Sequence, residues 1–326
     1  MHLLPEQDAA DGGPGCLGLL GATSFVGRAI LARWLEPNAA PPCPSVVAFT
    51  RSPTAPPEAA RGRGVVWRSL GAAVVDDRAT GAPAHIPSWI SVCPVWAVAE
   101  ALPRLEAAGA RRLIAVSSTS RFTRQDAPAA TDRALAARFA AAEETVLEWA
   151  ARRGVAATIL RPTLIYDGLH DRNVARIAAF IRRLGFFAVA GPAAGLRQPV
   201  HVDDVASACI TAASPSAGSH GLREAYELSG GETLSFREMV LRIFGWLGRR
   251  PRIISLPLTL IRTARRLESL VPTLGSMAAT AIRMNQDMVF DHTAAAGDLG
   301  FSPRPFSLPS AGDPDHDAGR ARATTG

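Results

Sequence analysis

Short apolar runs alternate with longer segments of helical periodicity through the first half of the chain. The helical segments begin near Phe25, end before Pro37, and resume over Ala97–Ala108. The apolar runs predict strands at Leu17–Leu20, Ser45–Thr50, Gly64–Ser69, Ser88–Trp96, Arg111–Ser118 and Val155–Pro162. Because short runs that are apolar throughout are typical of strands buried on both faces, this alternation predicts the α/β class, with a parallel sheet covered by helices.

A long helix is predicted over Thr131–Arg153, with Thr131 as its N-cap, Asp132 in its first turn and Gly154 ending it. One apolar stripe recurs along it at helical spacing. The stripe consists of Leu135, Phe139, Ala142, Val146 and Trp149. Beyond residue 166 helices and loops predominate, which predicts a smaller, mostly helical lobe.

A phosphate-binding turn is predicted at "GATSFVG", because it follows an apolar strand and opens a helix. Gly21 allows the tight turn, the small Ser24 lets the backbone approach a pyrophosphate, and Gly27 lets the helix pack on the strand. The helix N-terminus offers N–H groups and a positive dipole end to phosphates. The predicted dinucleotide contacts here are Gly21, Thr23, Ser24, Phe25, Val26 and Gly27.

The turn predicts a Rossmann-type doubly wound domain over residues 16–166, to which later strands from the C-terminal half contribute. Residues 167–310 are then the substrate-binding lobe, and residues 1–15 and 311–326 are expected to be disordered. The second strand ends in "FTRSP", with Arg51 and Ser52 and no acidic residue. Since a guanidinium matches a 2′-phosphate in charge and geometry, NADP(H) is favoured over NAD(H).

The amino-acid composition favours a globular protein and argues against several kinds of binding partner. The chain has 326 residues and is 48% hydrophobic. Its net charge is +6, and its 35 basic residues are all Arg, since it contains no Lys. This suits a globular protein with a sizeable core, and scattered Arg residues with few Tyr argue against nucleic-acid binding. The cysteines Cys16, Cys43, Cys93 and Cys209 lack metal-ligand spacing and indicate free thiols. With no signal peptide and no apolar run near the roughly 20 residues of a spanning helix, a cytoplasmic location without an integral membrane segment is expected.

Several motifs resemble, in order along the chain, the extended short-chain dehydrogenase/reductase family, the NAD(P)-dependent sugar-nucleotide epimerases and dehydratases. These motifs are "LLGATSFVG", "LIAVSSTS", "ILRPTLIYDG", "GLRQPVHVDDVASA" and "FDHTAAAGDLGFSPRPF". The resemblance implies a catalytic Thr119, Tyr166 near the substrate, and Arg197 on a substrate diphosphate, with His201 in the same substrate-binding motif. It also implies cofactor contacts from Ser117, Ser118, Arg161 and Pro162, and a homodimer.

The chain departs from this family at the Tyr-x-x-x-Lys pair, whose Tyr moves the proton and whose Lys holds the nicotinamide ribose. Matching "EETVL" to the family's helix puts the two positions on Leu135 and Phe139, and a one-residue shift puts them on Ala134 and Arg138. Leu164 and Asp167 replace a usual Asn and Gly.

Tyr166 is the best remaining phenol, and we expect it to face the crevice at the carboxyl ends of the strands. His201 with Asp203 and Asp204 favours a helix entrance capped by one of the two Asp residues over a proton relay. His170 and Asp171 are candidates in a loop predicted to cover the cleft.

One further segment, residues 251–274, combines apolar residues with Arg262, Arg265 and Arg266. It could rest on a membrane surface or pack against a partner. A lobe helix with a solvated Arg face is favoured, because Pro257 interrupts the pattern.

Two functions follow from these observations. The first is an NADP(H)-dependent oxidoreductase or epimerase with an atypical active site, acting on a sugar nucleotide or a similar carbonyl substrate. The second is a catalytically silent NADP(H)-binding sensor, scaffold or assembly factor. A third reading is a pseudo-enzyme that binds no cofactor.

Overall fold

The computed structural model describes residues 16–36, 45–50, 64–69, 85–214, 221–259, 261 and 281–309. Several predictions lie outside these residues. They are the disordered ends, Cys43, Arg51, Ser52, and the three arginines Arg262, Arg265 and Arg266. No helix among the described residues is long and apolar enough to cross a bilayer.

A seven-stranded sheet forms the centre of the molecule, and all its strands are parallel. Six strands come from the first half of the chain: β1 (Cys16–Leu20), β2 (Ser45–Thr50), β3 (Val65–Ser69), β4 (Ser88–Ser91), β5 (Arg112–Val116) and β6 (Ala156–Pro162). The seventh, β11 (Ala225–Leu228), comes from the second half, as expected. Numbered along the chain, the strands lie in the order β11-β6-β5-β4-β1-β2-β3. The order reverses between β1 and β4, which creates a crevice at the carboxyl ends of the strands.

Helices cover both faces of this sheet. The helices are α1 (Phe25–Trp34), α2 (Val95–Ala107), α3 (Ser120–Thr123), α4 (Ala130–Arg153), α5 (Val174–Leu184), α6 (Val202–Ala213), α7 (Phe236–Trp246) and α8 (Thr293–Leu299). One apolar core joins the sheet to α1, α6 and α8, and a second joins it to α2 and α4. The predicted doubly wound α/β fold is confirmed.

A smaller lobe is built on α5 and α7, which share a third apolar core. Three two-stranded sheets accompany it, and two of them are parallel. Their strands are β7 (Ile165–Tyr166), β8 (Phe187–Ala190), β9 (Leu196–Arg197), β10 (Val200–His201), β12 (Leu234–Ser235) and β13 (Ile253–Leu256).

The element boundaries correct three predictions. Strand β4 ends at Ser91 rather than Trp96, and α2 begins at Val95 because Pro94 occupies its N-cap, where no N–H is needed. Helix α4 begins at Ala130, and its N-cap residue Ala129 makes no side-chain hydrogen bond, so Thr131 is not the N-cap.

The predicted apolar stripe of α4 is largely buried. Ala142, Val146 and Trp149 are buried and Phe139 packs against their core, whereas Leu135 is half-exposed and belongs to none of the buried clusters.

Candidate functional site

The turn after β1 has the geometry that a bound pyrophosphate needs. Gly21 has a φ of +82°, which favours glycine. A Cβ on Gly27 would lie 2.2 Å from the carbonyl oxygen of Gly21, so only glycine lets α1 approach β1 this closely. The first turn of a helix leaves its N–H groups without intrahelical partners. The turn therefore fits a dinucleotide.

Ser24 has a structural role in addition to the one that its small size predicts. It is the N-cap of α1, and its hydroxyl accepts the N–H of Gly27 at 3.1 Å. That donor is therefore occupied, and the N–H groups of Phe25 and Val26 remain for phosphate oxygens. The Oγ1 atom of Thr23 lies 3.4 Å from that of Thr50 at the end of β2.

Beyond the switch point, the end of β5 carries a buried ionic cluster that the sequence did not predict. We call Ser117, Arg121, Glu143, Arg161 and Glu227 the Glu143 cluster. Glu143 is 0% exposed. Its carboxylate accepts the hydroxyl of Ser117 at 2.5 Å, a contact from Arg121, and two N–H bonds from Arg161 at 3.0 and 2.7 Å.

Arg161 links the Glu143 cluster to the far edge of the sheet, since its Nη1 donates to Glu227 at 3.1 Å. Burial lowers the pKa of Arg161, but the hydrogen bond and charge of Glu143 outweigh it, so that the pKa is raised. Arg161 is therefore held as a permanent cation within the fold. Ser117 and Arg161, both predicted cofactor contacts, are engaged with Glu143.

A cleft of about 290 Å³ opens between the ends of β5 and β6 and the smaller lobe. Thr119 and Arg197, for which the family resemblance implies a catalytic and a substrate-binding role, both line it. The other lining residues are Ser118, Ser120, Thr123, Arg124, Thr163, Leu164, Asn173, Gln198, Phe236, Arg283, Met284 and Met288.

Thr119 lies on the wall of the cleft that faces the sheet and is 6% exposed. Its hydroxyl donates to the carbonyl oxygen of Pro162 at 3.3 Å. With its proton directed at the backbone, the hydroxyl oxygen is left to accept a hydrogen bond from a ligand. Ser118, beside it, accepts the N–H of Ser120 at 3.1 Å.

Three guanidiniums meet in the cleft: Arg124, Arg197 and Arg283, which we call the cleft arginines. Asp132, in the first turn of α4, contacts Arg124 and lies 3.2 Å from Nη1 of Arg283. Asp287, which accepts the N–H of Leu196, also acts on Arg197 through its charge. Neither Asp132 nor Asp287 is among the lining residues, and these two carboxylates against three guanidiniums leave an excess of one positive charge.

Within the part of the chain that the structure describes, Arg197 has no carboxylate in hydrogen-bond contact. It is 6% exposed and donates to the backbone carbonyls of Leu196, Gln286 and Arg283 at 2.5–2.7 Å. Burial, and next the charge of Arg283, lowers the pKa of Arg197 to about 10. The pKa of Arg283 is also lowered, by burial and by Arg124. A cation whose pKa is lowered in this way gains from an anionic ligand.

Tyr166 does not face the cleft, which corrects the prediction. It is 0% exposed and packs in the core of the smaller lobe, 4.8 Å from the ring of Phe306 and 5.2 Å from that of His201. Its hydroxyl accepts the N–H of Ser307 at 3.1 Å, and burial raises its pKa. Tyr226 is equally buried.

The other polar candidates have structural roles. His201 is the N-cap of α6 and its Nδ1 accepts the N–H of Asp203 at 3.3 Å, so the ring and not an Asp caps this helix. Asp204 instead accepts the backbone N–H and Nε of Arg304, both at 3.0 Å. In the loop after β7, Asp171 binds backbone N–H groups and His170 pairs with Asp167 at 2.9 Å.

The positions of the absent Tyr and Lys lie on α4, above the end of the sheet. Phe139 makes an edge contact with Trp96 at 5.2 Å, and the guanidinium of Arg138 lies 4.1 Å from the ring centroid of Trp96. Phe139 and Arg138, the second positions of the two predicted registers, therefore both pack against Trp96.

Comparison with known proteins finds a family model that matches part of the chain and solved structures that share its fold. Residues 92–226 match the model described as the NAD dependent epimerase/dehydratase family. A mitochondrial protein of Arabidopsis thaliana, NADH dehydrogenase [ubiquinone] 1 alpha subcomplex subunit 9, is 33% identical over 118 residues. The match spans 36% of this chain and 28% of that protein, well under two thirds of its length.

Two solved structures share the architecture over nearly the whole chain. A UDP-glucose 4-epimerase from Thermotoga maritima, solved with UDP-glucose, has a TM-score of 0.61 at 14% identity, covering 88% of this chain and 93% of that one. MoeE5 in complex with UDP-glucose and NAD has a TM-score of 0.61 at 20% identity, covering 90% and 94%. At these identities the likeness concerns the fold.

Proposed function

We propose that this chain, whose residues 92–226 match the NAD dependent epimerase/dehydratase family, binds NAD(P)(H) and a sugar-nucleotide-like ligand without turning that ligand over. One observation carries this proposal. The described residues that line the cleft include no Tyr, His, Cys, Asp or Glu, and the chain has no Lys. Hydride transfer to or from a carbonyl needs a group that exchanges a proton near working pH, and Arg and Thr side chains do not do so.

The cofactor part of the proposal is supported by the turn after β1. Gly21 and Gly27 allow close approach, and the N–H groups of Phe25 and Val26 would bind the pyrophosphate. NAD(P)(H) bound there would supply or accept a hydride at its nicotinamide. Since β2 ends before Arg51 with no acidic residue, NADP(H) is proposed over NAD(H).

The ligand part is supported by the cleft arginines. A diphosphate would compensate their excess positive charge and would bring its own oxygens to Arg197, whose hydrogen-bond acceptors among the described residues are backbone carbonyls. The hydroxyl oxygen of Thr119, directed by Pro162, would accept a hydrogen bond from a sugar hydroxyl. Sugar nucleotides combine both features, and two structural neighbours are described with UDP-glucose.

A second candidate function is an oxidoreductase or epimerase with an atypical active site. The observation in its favour is that Thr119 lines the cleft. A proton would then have to come from the solvent or from the ligand itself, since both Tyr side chains are buried.

Calorimetry and a turnover assay on the same protein separate these functions. NADPH, NADH and UDP-glucose are titrated singly, and each dinucleotide, reduced and oxidised, is then incubated with UDP-glucose or UDP-glucuronic acid. We expect binding of a dinucleotide and of the UDP-sugars, with no change in nicotinamide absorbance and no epimer by NMR. Turnover that Thr119→Ala abolishes would establish the second function, and a protein that binds no dinucleotide would refute both.

A further inference from the structure

The parallel topology determines which strands lie beneath each half of a bound dinucleotide. A bound pyrophosphate would lie at the N-terminus of α1, and the end of β2 would face the adenosine ribose. The nicotinamide half would then cross the switch point between β1 and β4 and lie over the ends of β4 and β5. The polar groups that β5 presents at this end begin with Ser117 and continue into α3.

Arg121, in α3, brings a guanidinium to this end of the sheet. It shares the carboxylate of Glu143 with Ser117, which directly follows β5. Glu143 is four residues after Phe139 on α4, so the two residues share one face of that helix. The Arg121 guanidinium is thus tethered about one helical turn from the position where the chain lacks a cation.

The other arginines near the carboxyl end of β5 make contacts that keep them from a bound ribose. The side chain of Arg161 is 12% exposed and lies between Glu143 and Glu227. Arg138 stacks on Trp96, and Arg124 is held by Asp132 in the cleft. The side chain of Arg121 is 30% exposed, and its one hydrogen bond among the described residues is made by Nη1 to Glu143.

The net charge of the Glu143 cluster favours an uncharged ligand group at Arg121. Two guanidiniums, Arg121 and Arg161, face two carboxylates, Glu143 and Glu227, so that the Glu143 cluster has no net charge. Such a group does not attract a phosphate strongly, but its guanidinium can donate to hydroxyl oxygens. The nicotinamide ribose presents two hydroxyls on this side of the switch point.

We infer that Arg121, held by Glu143, donates to the hydroxyls of the nicotinamide ribose and takes the place of the cation that α4 lacks. This inference rests on the proposed binding of NAD(P)(H). Arg121 is then a cofactor-binding residue and Glu143 a positioning residue that acts through it. Ser117 donates its hydroxyl to the same Glu143 carboxylate and does not compete for the ribose.

Calorimetric titration with NADPH and with ADP tests the inference, because ADP lacks the nicotinamide ribose but uses the same turn at Gly21. Arg121→Gln is expected to weaken NADPH binding roughly tenfold or more, as loss of a charged hydrogen bond does, and to leave ADP binding unchanged. Arg121→Lys is expected to recover part of the loss. Arg138→Gln, which removes the rival cation from Trp96, is expected to leave both affinities unchanged.

Arg121→Gln leaves part of a buried carboxylate without its partner. The double variant Arg121→Gln/Glu143→Gln removes that charge as well, and the same difference between NADPH and ADP is expected there. Equal NADPH affinities in wild type and Arg121→Gln would overturn the inference, as would a parallel loss of ADP binding or a loss confined to Arg138→Gln. A wild-type protein that binds ADP but neither NADPH nor NADH would refute the proposed function itself, and the inference with it.

Discussion

The Glu143 cluster and the cleft arginines are built from the same residue types but differ in charge balance and access. In the Glu143 cluster two carboxylates match two guanidiniums, and Glu143 is fully buried. At the cleft, Asp132 pairs with Arg124 and Arg283, Asp287 acts on Arg197 through its charge, and the three guanidiniums line an open volume of about 290 Å³.

The difference in charge balance and access indicates that the Glu143 carboxylate stabilises the fold and that the cleft arginines bind a ligand. A balanced cluster has no net charge left for an anion, and removing its buried carboxylate mainly harms the fold. An unbalanced cluster on a cleft wall keeps charge that an anionic ligand can compensate. The two clusters therefore predict different responses to the loss of one member.

The largest expected effect is on the fold. Glu143→Ala removes the acceptor of three buried or half-buried donors, Ser117, Arg121 and Arg161, and should lower the free energy of unfolding by about 3–5 kcal/mol. Glu144→Ala, at the exposed neighbouring position, should change it by less than about 0.5 kcal/mol. Denaturant titration measures the free energy of unfolding of both variants. Equal stabilities of Glu143→Ala and Glu144→Ala would contradict the structural role of the Glu143 cluster.

The next effect is on ligand affinity. Arg283→Met removes a guanidinium from the cleft and should weaken UDP binding by about 1.5–3 kcal/mol, or roughly tenfold to a hundredfold. The control is Arg152→Met, in the last turn of α4 and far from the cleft, which should leave UDP affinity unchanged. Calorimetry with UDP decides, and an unaltered affinity in Arg283→Met would show that the cleft does not hold the diphosphate.

Tyr166 is fully buried outside the cleft, and we therefore expect it to contribute to stability and not to ligand binding. Tyr166→Phe removes the acceptor of the Ser307 N–H and should cost about 1 kcal/mol of stability. Affinities for NADPH and UDP should not change, because the side chain is not among those that line the cleft. A Tyr166→Phe protein of normal stability that has lost an enzymatic activity would mean that the phenol takes part in chemistry.

The smallest expected effect concerns the carboxylate beside the cleft. Asp132→Asn should tighten UDP binding by about 0.5–1 kcal/mol, or roughly twofold to fivefold, because two cleft arginines lose a competing anion. Asp126→Asn, at an exposed position six residues earlier, serves as the matched control. Weaker UDP binding in Asp132→Asn would instead mean that Asp132 holds the arginines in place for the ligand.

Much of the fold could be predicted because its signals are local. Apolar strands, the glycine turn and the breaks at Pro37 and Gly154 each depend on a few adjacent residues, and the observed strands follow them within a few positions. The start of α4 could not be predicted in this way. Thr131 is a good N-cap type, but the helix begins one residue before it without any side-chain cap.

The site could be predicted only in part. Thr119 and Arg197 were found from motifs, and both line the cleft. Arg283 meets Asp132 across 151 positions of sequence, and no local pattern encodes such a contact. Glu143 had a signal that was missed. It lies four residues after Phe139 and three before Val146, which puts a carboxylate on the buried face of α4 and calls for a cationic partner.

Tyr166 shows the limit of reasoning from strand ends. Its position after β6 suggested the crevice, but β7 pairs with β10 and directs the ring into the smaller lobe. Only the tertiary packing around Phe306 and His201 shows this.

The most direct test of binding without turnover is a single experiment on the wild-type protein saturated with dinucleotide and UDP-glucose. Nicotinamide absorbance and the sugar's NMR spectrum are followed while calorimetry on the same preparation reports occupancy of both ligands. We expect both ligands to be bound, with no change in absorbance and no new sugar signal. Oxidation, reduction or epimerisation of the UDP-glucose, lost in Thr119→Ala, would contradict this function.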